Sequence, residues 1–482
     1  MQALLDRAVA LMRQAGASYG DIRVREDRQE HIAVKNGRPE HITSERSAGL
    51  GVRVLVDGAW GFFGTHRLEI EAVEPAVEQA VAIARASAPL RKEPVVLAPV
   101  TPPAAAGRYE TPLQEDPFRV PLERKLALLV EASRSMRGPN LKLAQAFFAA
   151  YEIHQHFAST EGARIEQRIV QCGGGIAATA IAGSNLQVRS FPNSFRGNFA
   201  TAGYEFVEEM HLAAEAARVG DEAEALLVAP PCPEGRRTIL LDGGQLALQV
   251  HESCGHPIEL DRVLGMELSY AGDSFLTIDK LGHFRYGSPH VNITADATSP
   301  GGLGTFGYDD EGVPAQATPI VREGIFVGYL SSRETAPAVQ GTSSGSMRAS
   351  GWNRIPLIRM TNVNLLPGAA GSLEDLIADT SDGLLLTTNR SWSIDNKRLN
   401  FQFGTEMCRD VRGGKLGQIY KNATYTGITP EFWGSCDAVC GPQAWKLWGT
   451  PNCGKGEPGQ TARVGHGVAP ARFRDVQVGV KA

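Results

Sequence analysis

Ala229-Pro230-Pro231-Cys232-Pro233-Glu234-Gly235 puts three prolines into four consecutive positions. Proline donates no backbone hydrogen bond and its ring clashes with a preceding helical turn, so neither helix nor sheet can run through this point. The chain is therefore expected to fold as two domains, residues 1–229 and 236–482. Its 482 residues are also too many for one simple core.

Before the break, residues 2–15 read as a helix with Leu4, Leu5, Ala8, Leu11 and Met12 on one face. Residues 22–25, 31–35, 41–44 and 51–56 read as short strands, with Asn36-Gly37 and Asp57-Gly58 as hairpin turns. A helix over 71–87 follows, then a Pro- and Ala-rich connector over 88–120 and a helix over 121–136. Alternating segments near 142–172 and 176–190 suit antiparallel strands turned at Glu161-Gly162. Residues 212–227 form an Ala-rich helix with a candidate break at Gly220.

After the break, a strand over 238–241 leads into a helix over 243–254. The remainder is mostly strand, with hairpin tips at 321–325 and 411–415 and short helices near 372–379 and 430–439. The expected class is α+β. An N-terminal, α/β-sandwich-like domain of short antiparallel strands and helices precedes a mostly antiparallel β domain. The many turns implied by 53 glycines and 28 prolines agree with this.

Charge is nearly balanced, 48 basic against 53 acidic residues, and no basic patch carries interleaved aromatics. That argues against nucleic acid as a ligand. No apolar run approaches the roughly 20 residues that span a bilayer, which argues against a membrane protein. Seven scattered cysteines make no disulfide framework, and no signal peptide is visible, so a reducing cytoplasm is the expected home.

The predicted helix over 243–254 runs into His251-Glu252-Ser253-Cys254-Gly255-His256. Two imidazoles bracketing a carboxylate supply two zinc ligands and a general base. The zincin pattern spaces its histidines four apart; here the spacing is five. At about 100° per residue, a regular helix leaves the rings roughly 140° apart. A shared metal therefore demands a one-residue bulge, or a helix that ends between the two rings, and Gly255 sits where distortion costs least. Taken alone, the hexapeptide also fits a satisfied core histidine.

Catalytic zinc normally takes a third protein ligand. Cys254 is expected to point away and pack as an apolar residue. Glu259 reads either as a ligand or as a partner for an imidazole N–H. Cys436 and Cys440 fall in the predicted helix 430–439, where core packing is the simpler role. His466, between Gly465 and Gly467, reads as a loop residue. Cys453 lies in the glycine-flanked loop Pro451-Asn452-Cys453-Gly454-Lys455-Gly456, with Lys455 available to lower its pKa, although a buried free cysteine also fits there.

The wider sequence resembles the TldD branch of the TldD/TldE (PmbA) metalloprotease family almost end to end. The matching segments are residues 51–61, the His251–His256 box with Pro257 and Asp261-Arg262 behind it, and residues 307–312. Ser332-Arg333-Glu334-Thr335, Arg359-Met360-Thr361-Asn362 and residues 398–404, 422–425 and 452–460 match as well. The resemblance implies His251, His256 and Cys453 as zinc ligands and Glu252 as the base. It argues against the PmbA/TldE branch, whose members lack the box. It further implies a zinc-dependent metalloendopeptidase acting on unfolded or extended peptides through zinc-activated water. The assembly would be a homodimer or a heterodimer with a TldE/PmbA-type paralogue. Tyr308, Arg348 and His466 are candidates for holding the substrate or its oxyanion. Another divalent transition metal, iron or manganese, also suits such a site. Two other classes stay open: a zinc hydrolase of non-peptide amides, and a regulatory or binding module with a structural zinc.

Overall fold

The computed structural model describes residues 1–100, 106–270 and 272–479. Residues 101–105 of the predicted connector and the last three residues of the predicted second domain lie outside the described residues. The fold is mixed α+β with mainly antiparallel sheets, as the sequence leads one to expect.

The first half builds one eight-stranded sheet. Its long members are β1 (Tyr19–Lys35), β2 (Arg38–Val56) and β3 (Ala59–Thr65), followed by β4 (Ala106–Glu110), β5 (Leu141–Ser159) and β6 (Arg164–Ala182). They lie in the order β3-β2-β1-β5-β6-β4, and β7 (Asn185–Phe191) and β8 (Asn198–Ala200) also pair with β6. Both predicted Asx-Gly hairpins form, with left-handed backbone at Asn36 (φ 50°) and Gly37 (φ 71°) and at Asp57 (φ 51°) and Gly58 (φ 74°).

The four short strands expected over residues 22–56 are corrected to two long ones. β1 pairs with β2 from Tyr19↔Leu55 to Lys35↔Arg38 with a single register shift. Polar residues interrupt the apolar alternation without interrupting the backbone hydrogen bonds. β6 likewise runs through 172–176 without the expected gap. A Cβ on Gly173 or Gly174 would come within 2.2 or 2.3 Å of the backbone oxygens of Asn198 and Phe147, so these glycines admit neighbouring strands rather than end one. β4, inside the predicted connector, pairs in parallel with β6.

Even-numbered residues of β1 bury one face of this sheet. Helices Gln2–Gln14 and Val73–Ser87 cover Ile22 and Val24, and helices Leu122–Ser135 and Leu212–Val228 cover Ile32 and Val34. The last of these helices passes Gly220 unbroken; a Cβ there would meet the Arg137 backbone at 3.1 Å. The opposite face carries buried charges that meet the second half. Arg53 pairs with Asp21 at 2.7 Å and with Glu311 at 3.2 Å, and Arg23 pairs with Asp310 at 3.4 Å.

In the second half, strand Gly235–Leu241 lies between Asp382–Ile394 (parallel) and Ala471–Val478 (antiparallel) in a seven-stranded sheet. The helix predicted over 430–439 stops at Gly434, and Cys436–Val439 is a strand paired with Ala471–Val478. Cys436 and Cys440 are buried in the core there, which is the packing role expected of them.

Candidate metal centre

Leu241 ends the central strand, and Asp242 caps the next helix by accepting a 2.8 Å hydrogen bond from the Gln245 amide. The helix is α-helical over Gly243–Val250 and then widens into a π turn over His251–Gly255, closed by His256 N–H donating to the His251 carbonyl at 3.2 Å. The turn brings residues five apart onto one side, the distortion that the histidine spacing demands. The ring centroids of His251 and His256 lie 4.9 Å apart. Tyr286 donates to the Ser253 carbonyl and Trp433 to the Ser253 hydroxyl, each at 2.9 Å, which pins the widened turn. Gly255 is needed for space rather than for its dihedral freedom, since a Cβ would lie 2.2 Å from the Met360 sulfur.

Cys453 does not sit in a loop. It belongs to strand Lys446–Lys455, which pairs with Gln460–Val468 and shifts register between Thr450 and Cys453. The irregularity at Pro451-Asn452 turns the thiol toward the π turn. His256 Nε2 lies 3.8 Å from Cys453 Sγ, and one donor atom from each of His251, His256 and Cys453 falls within 4.8 Å of the other two. All three side chains are buried.

Hydrogen bonds set the tautomers of both rings. The Val363 carbonyl only accepts, so His466 donates to it from Nδ1 at 3.1 Å and presents a bare Nε2 to His251 Nδ1 at 2.8 Å. His251 must then carry its proton on Nδ1 and keep a lone pair on Nε2. His256 likewise donates from Nδ1 to Glu259 at 3.1 Å, leaving its Nε2 lone pair toward Cys453. Burial holds all three imidazoles below their ordinary pKa, His256 and His466 well below. Burial also opposes a thiolate at Cys453, but His256, as the ring that would accept the thiol's proton at Nε2, and Arg359 more than offset it, and the thiol lies below its usual value. Two neutral Nε2 lone pairs and one acidified sulfur within reach of one point fit a zinc-type cation. Buried Cys254, pushed up to about 12, belongs to the core and not to this group.

Several expected contacts are corrected. Lys455 bonds to Asp261 at 2.7 Å and to the Ile358 carbonyl at 2.8 Å, so its charge serves that carboxylate; Arg359, donating to the Cys453 carbonyl at 2.5 Å, is the cation beside the sulfur. His466 is a buried residue of strand Gln460–Val468, behind His251, and not a loop residue facing substrate. Tyr308 and Arg348 line a different cavity and are not brought to the donor group.

Sequence reasoning gave no role to Arg398, whose Nη1 lies 2.5 Å from Glu252 Oε2. The pair faces a cavity of about 250 Å³ walled by both halves of the chain. Asn193, Ser194 and Phe195 come from the first half, and Trp392 and residues 448–454 from the second.

Three family models match the chain: the PmbA/TldA metallopeptidase domain 1 over residues 20–84, the central domain over 115–227 and the C-terminal domain over 234–480. A metalloprotease of Methanocaldococcus jannaschii is 32% identical over 451 residues, 93% of this chain and 94% of that protein. A zinc metalloprotease TldD homolog of Saccharolobus solfataricus is 24% identical over 51% of this chain and 52% of its own. The crystal structure of TldE from Thermococcus kodakarensis shares the fold, with a TM-score of 0.72 at 15% identity over 99% of this chain and 100% of that one. The chain belongs to the PmbA/TldD family of metallopeptidases.

Proposed function

We propose that this chain is a zinc-dependent endopeptidase of unfolded or extended peptides. In this reading His251, His256 and Cys453 hold the metal and Glu252 is the general base. The observation that carries it is the buried set of two Nε2 lone pairs and a sulfur, each ring fixed from behind, one residue away from a carboxylate that faces a cavity.

A bound zinc ion would polarise the scissile carbonyl and acidify water at neutral pH. Glu252 takes the proton of the attacking water and passes it to the leaving amine. Arg398 holds the Glu252 carboxylate at a fixed place on the cavity wall. Glu259 and His466 keep the two rings from turning. A closed structural site would need a fourth protein ligand, and the two nearest candidates, Glu259 and His466, already bind Nδ1 atoms on the far sides of the rings. This favours a catalytic role over a purely structural one.

Extended substrates suit the strand Lys446–Lys455, which among the described residues pairs through its backbone only with Gln460–Val468 and lines the cavity over residues 448–454. Asn198 caps its other edge at Leu447 and Gly449, leaving the stretch beyond them for a substrate. A peptide adding to that edge would be held by main-chain hydrogen bonds with little side-chain preference. We take residues 1–229 as an N-terminal domain and 236–482 as the catalytic one, a division supported by family models that end at 227 and begin at 234. No helix among the described residues is long and apolar enough to cross a membrane. The expected setting is the cytoplasm, as a homodimer or paired with a TldE-type paralogue.

The test is Glu252→Gln. The variant should keep its metal by elemental analysis and lose casein digestion, because the amide cannot accept the proton. Undiminished digestion would remove Glu252 from the mechanism.

A further inference from the structure

Arg348 and Arg463 line a cavity of about 50 Å³ between the N-terminal sheet and the second half of the chain. Among the described residues, Arg348 donates only from Nη1, to the Met360 carbonyl at 3.1 Å and the Arg463 carbonyl at 2.7 Å. Arg463 donates only from Nε, to Gln171 at 2.5 Å, and stacks 4.4 Å over the Tyr151 ring. The remaining guanidinium nitrogens meet no protein acceptor, and neither side chain ends on a carboxylate.

The carboxylates nearby are already engaged. Asp310 pairs with Arg23 at 3.4 Å and accepts from Gln155 and the Ala349 amide; Asp27 pairs with Arg25 at 2.6 Å. Asp309 accepts from the amides of Glu311, Val313 and Met347, and burial raises its carboxyl well above the ordinary range, so it adds little negative charge. Two half-buried guanidinium groups thus line one cavity with no ion pair of their own, and like charges repel in a partly desolvated space. Burial, with Arg463 and Arg359 close by, pushes the Arg348 guanidinium down to about 9.

We propose that this cavity binds a small carboxylate or phosphate anion through the open edges of Arg348 and Arg463. Guanidinium edges pair with such oxyanions through parallel hydrogen bonds. On the same measure one water needs roughly 10–15 Å³, so the space admits a group of a few heavy atoms and no peptide. Cys453 stands opposite Ala462 in the register of its ribbon, and Thr461, Ala462 and Arg463 all wall the cavity. A bound anion therefore braces the strand next to the one that carries the thiol. This inference does not depend on the peptidase reading.

The experiment is thermal unfolding of the full chain at constant ionic strength, starting in a sulfonate too bulky for the cavity and replacing it stepwise with acetate, phosphate or chloride. The expected result is a saturable rise in Tm, on the order of 2 °C, with acetate or phosphate; the lower half-saturation identifies the preferred class. Arg348→Gln should abolish the response and be no less stable than the parent in sulfonate alone, because it removes an unpaired charge. Arg463→Lys, which keeps the charge but loses the fork, should respond with a higher half-saturation. The proposal is overturned by a non-saturating rise that persists in Arg348→Gln, or by a saturable response to chloride alone. Equal destabilisation of Arg348→Gln in every buffer would overturn it too, marking Arg348 as a purely structural donor.

Discussion

Arg398 stands at φ 63°, in the left-handed region that costs a non-glycine residue energy. The hairpin tip imposes this conformation. Asp395 accepts from the amides of Leu399 and Asn400, and the Arg398 carbonyl accepts from Thr429 at 2.8 Å. The result is a guanidinium aimed at Glu252. Arg398→Ala should lower kcat about 10- to 100-fold with metal content unchanged, since a base misplaced by an ångström loses that much. Arg398→Lys should recover part of the loss, and steady-state kinetics beside elemental analysis would check both. A second outcome at this scale concerns pH. His256 and His466 stay neutral in the fold because burial lowers them, whereas unfolded histidines titrate near 6.5. As pH falls through about 6.5, the unfolded chain gains protons that the metal-free fold refuses. Stability from these rings is therefore complete above that pH and is lost below it. Denaturant midpoints in chelator should drop between about pH 8 and 5.5, and less so for His466→Gln.

The candidate residues that sequence made visible are those adjacent in the chain, together with Cys453, which its glycine-flanked segment and the family resemblance named. His251, Glu252 and His256 declare themselves within six positions, whereas Arg398 reaches Glu252 from 146 residues away through a conformation no motif announces. His466 looked like a loop residue because glycines flank it. Those glycines instead make room, for a Cβ on Gly465 or Gly467 would lie 2.1 Å from Asn362 or 1.8 Å from Trp445.

Among elements, a distortion at the histidines was legible as one of two options, because five-residue spacing cannot bring both rings to one metal on a regular helix; the structure takes the bulged option, a π turn. Its support was not, because Tyr286, Met360 and Trp433 come from distant segments. Gly255→Ala should destabilise the chain by about 1–3 kcal/mol, the range typical of an overpacked core. Met360→Ala should relieve part of that loss in the double variant, and a denaturation cycle over the four proteins would measure the coupling. The long strands escaped recognition for a related reason. Glu26-Asp27-Arg28-Gln29-Glu30 is an all-polar run, so hydrophobic alternation lapses there while the backbone pairing with β2 and β5 continues.

At the scale of the whole molecule, the break at 229–235 is visible in sequence, but the way the halves meet is not. Glu406 accepts from the Ser190 amide and hydroxyl at 2.7 Å each and lies 3.3 Å from Arg189, and Arg333 pairs with Glu161 at 2.8 Å. The first half also contributes Asn193, Ser194 and Phe195 to the cavity wall. Residues 236–482 expressed alone should therefore lose casein digestion and expose the unmatched charges of Glu311 and Glu406. Activity assays and sedimentation would detect both outcomes.

Those buried ion pairs across the seam have a further consequence for access. Parting the halves would give up the Arg23–Asp310, Arg53–Glu311 and Arg189–Glu406 pairs together with the packing around them, so the seam is a poor hinge. Under the proposed function, a polypeptide would then enter through a fixed aperture rather than between parting jaws, and the molecule would act as a sieve for slack, single-file chains.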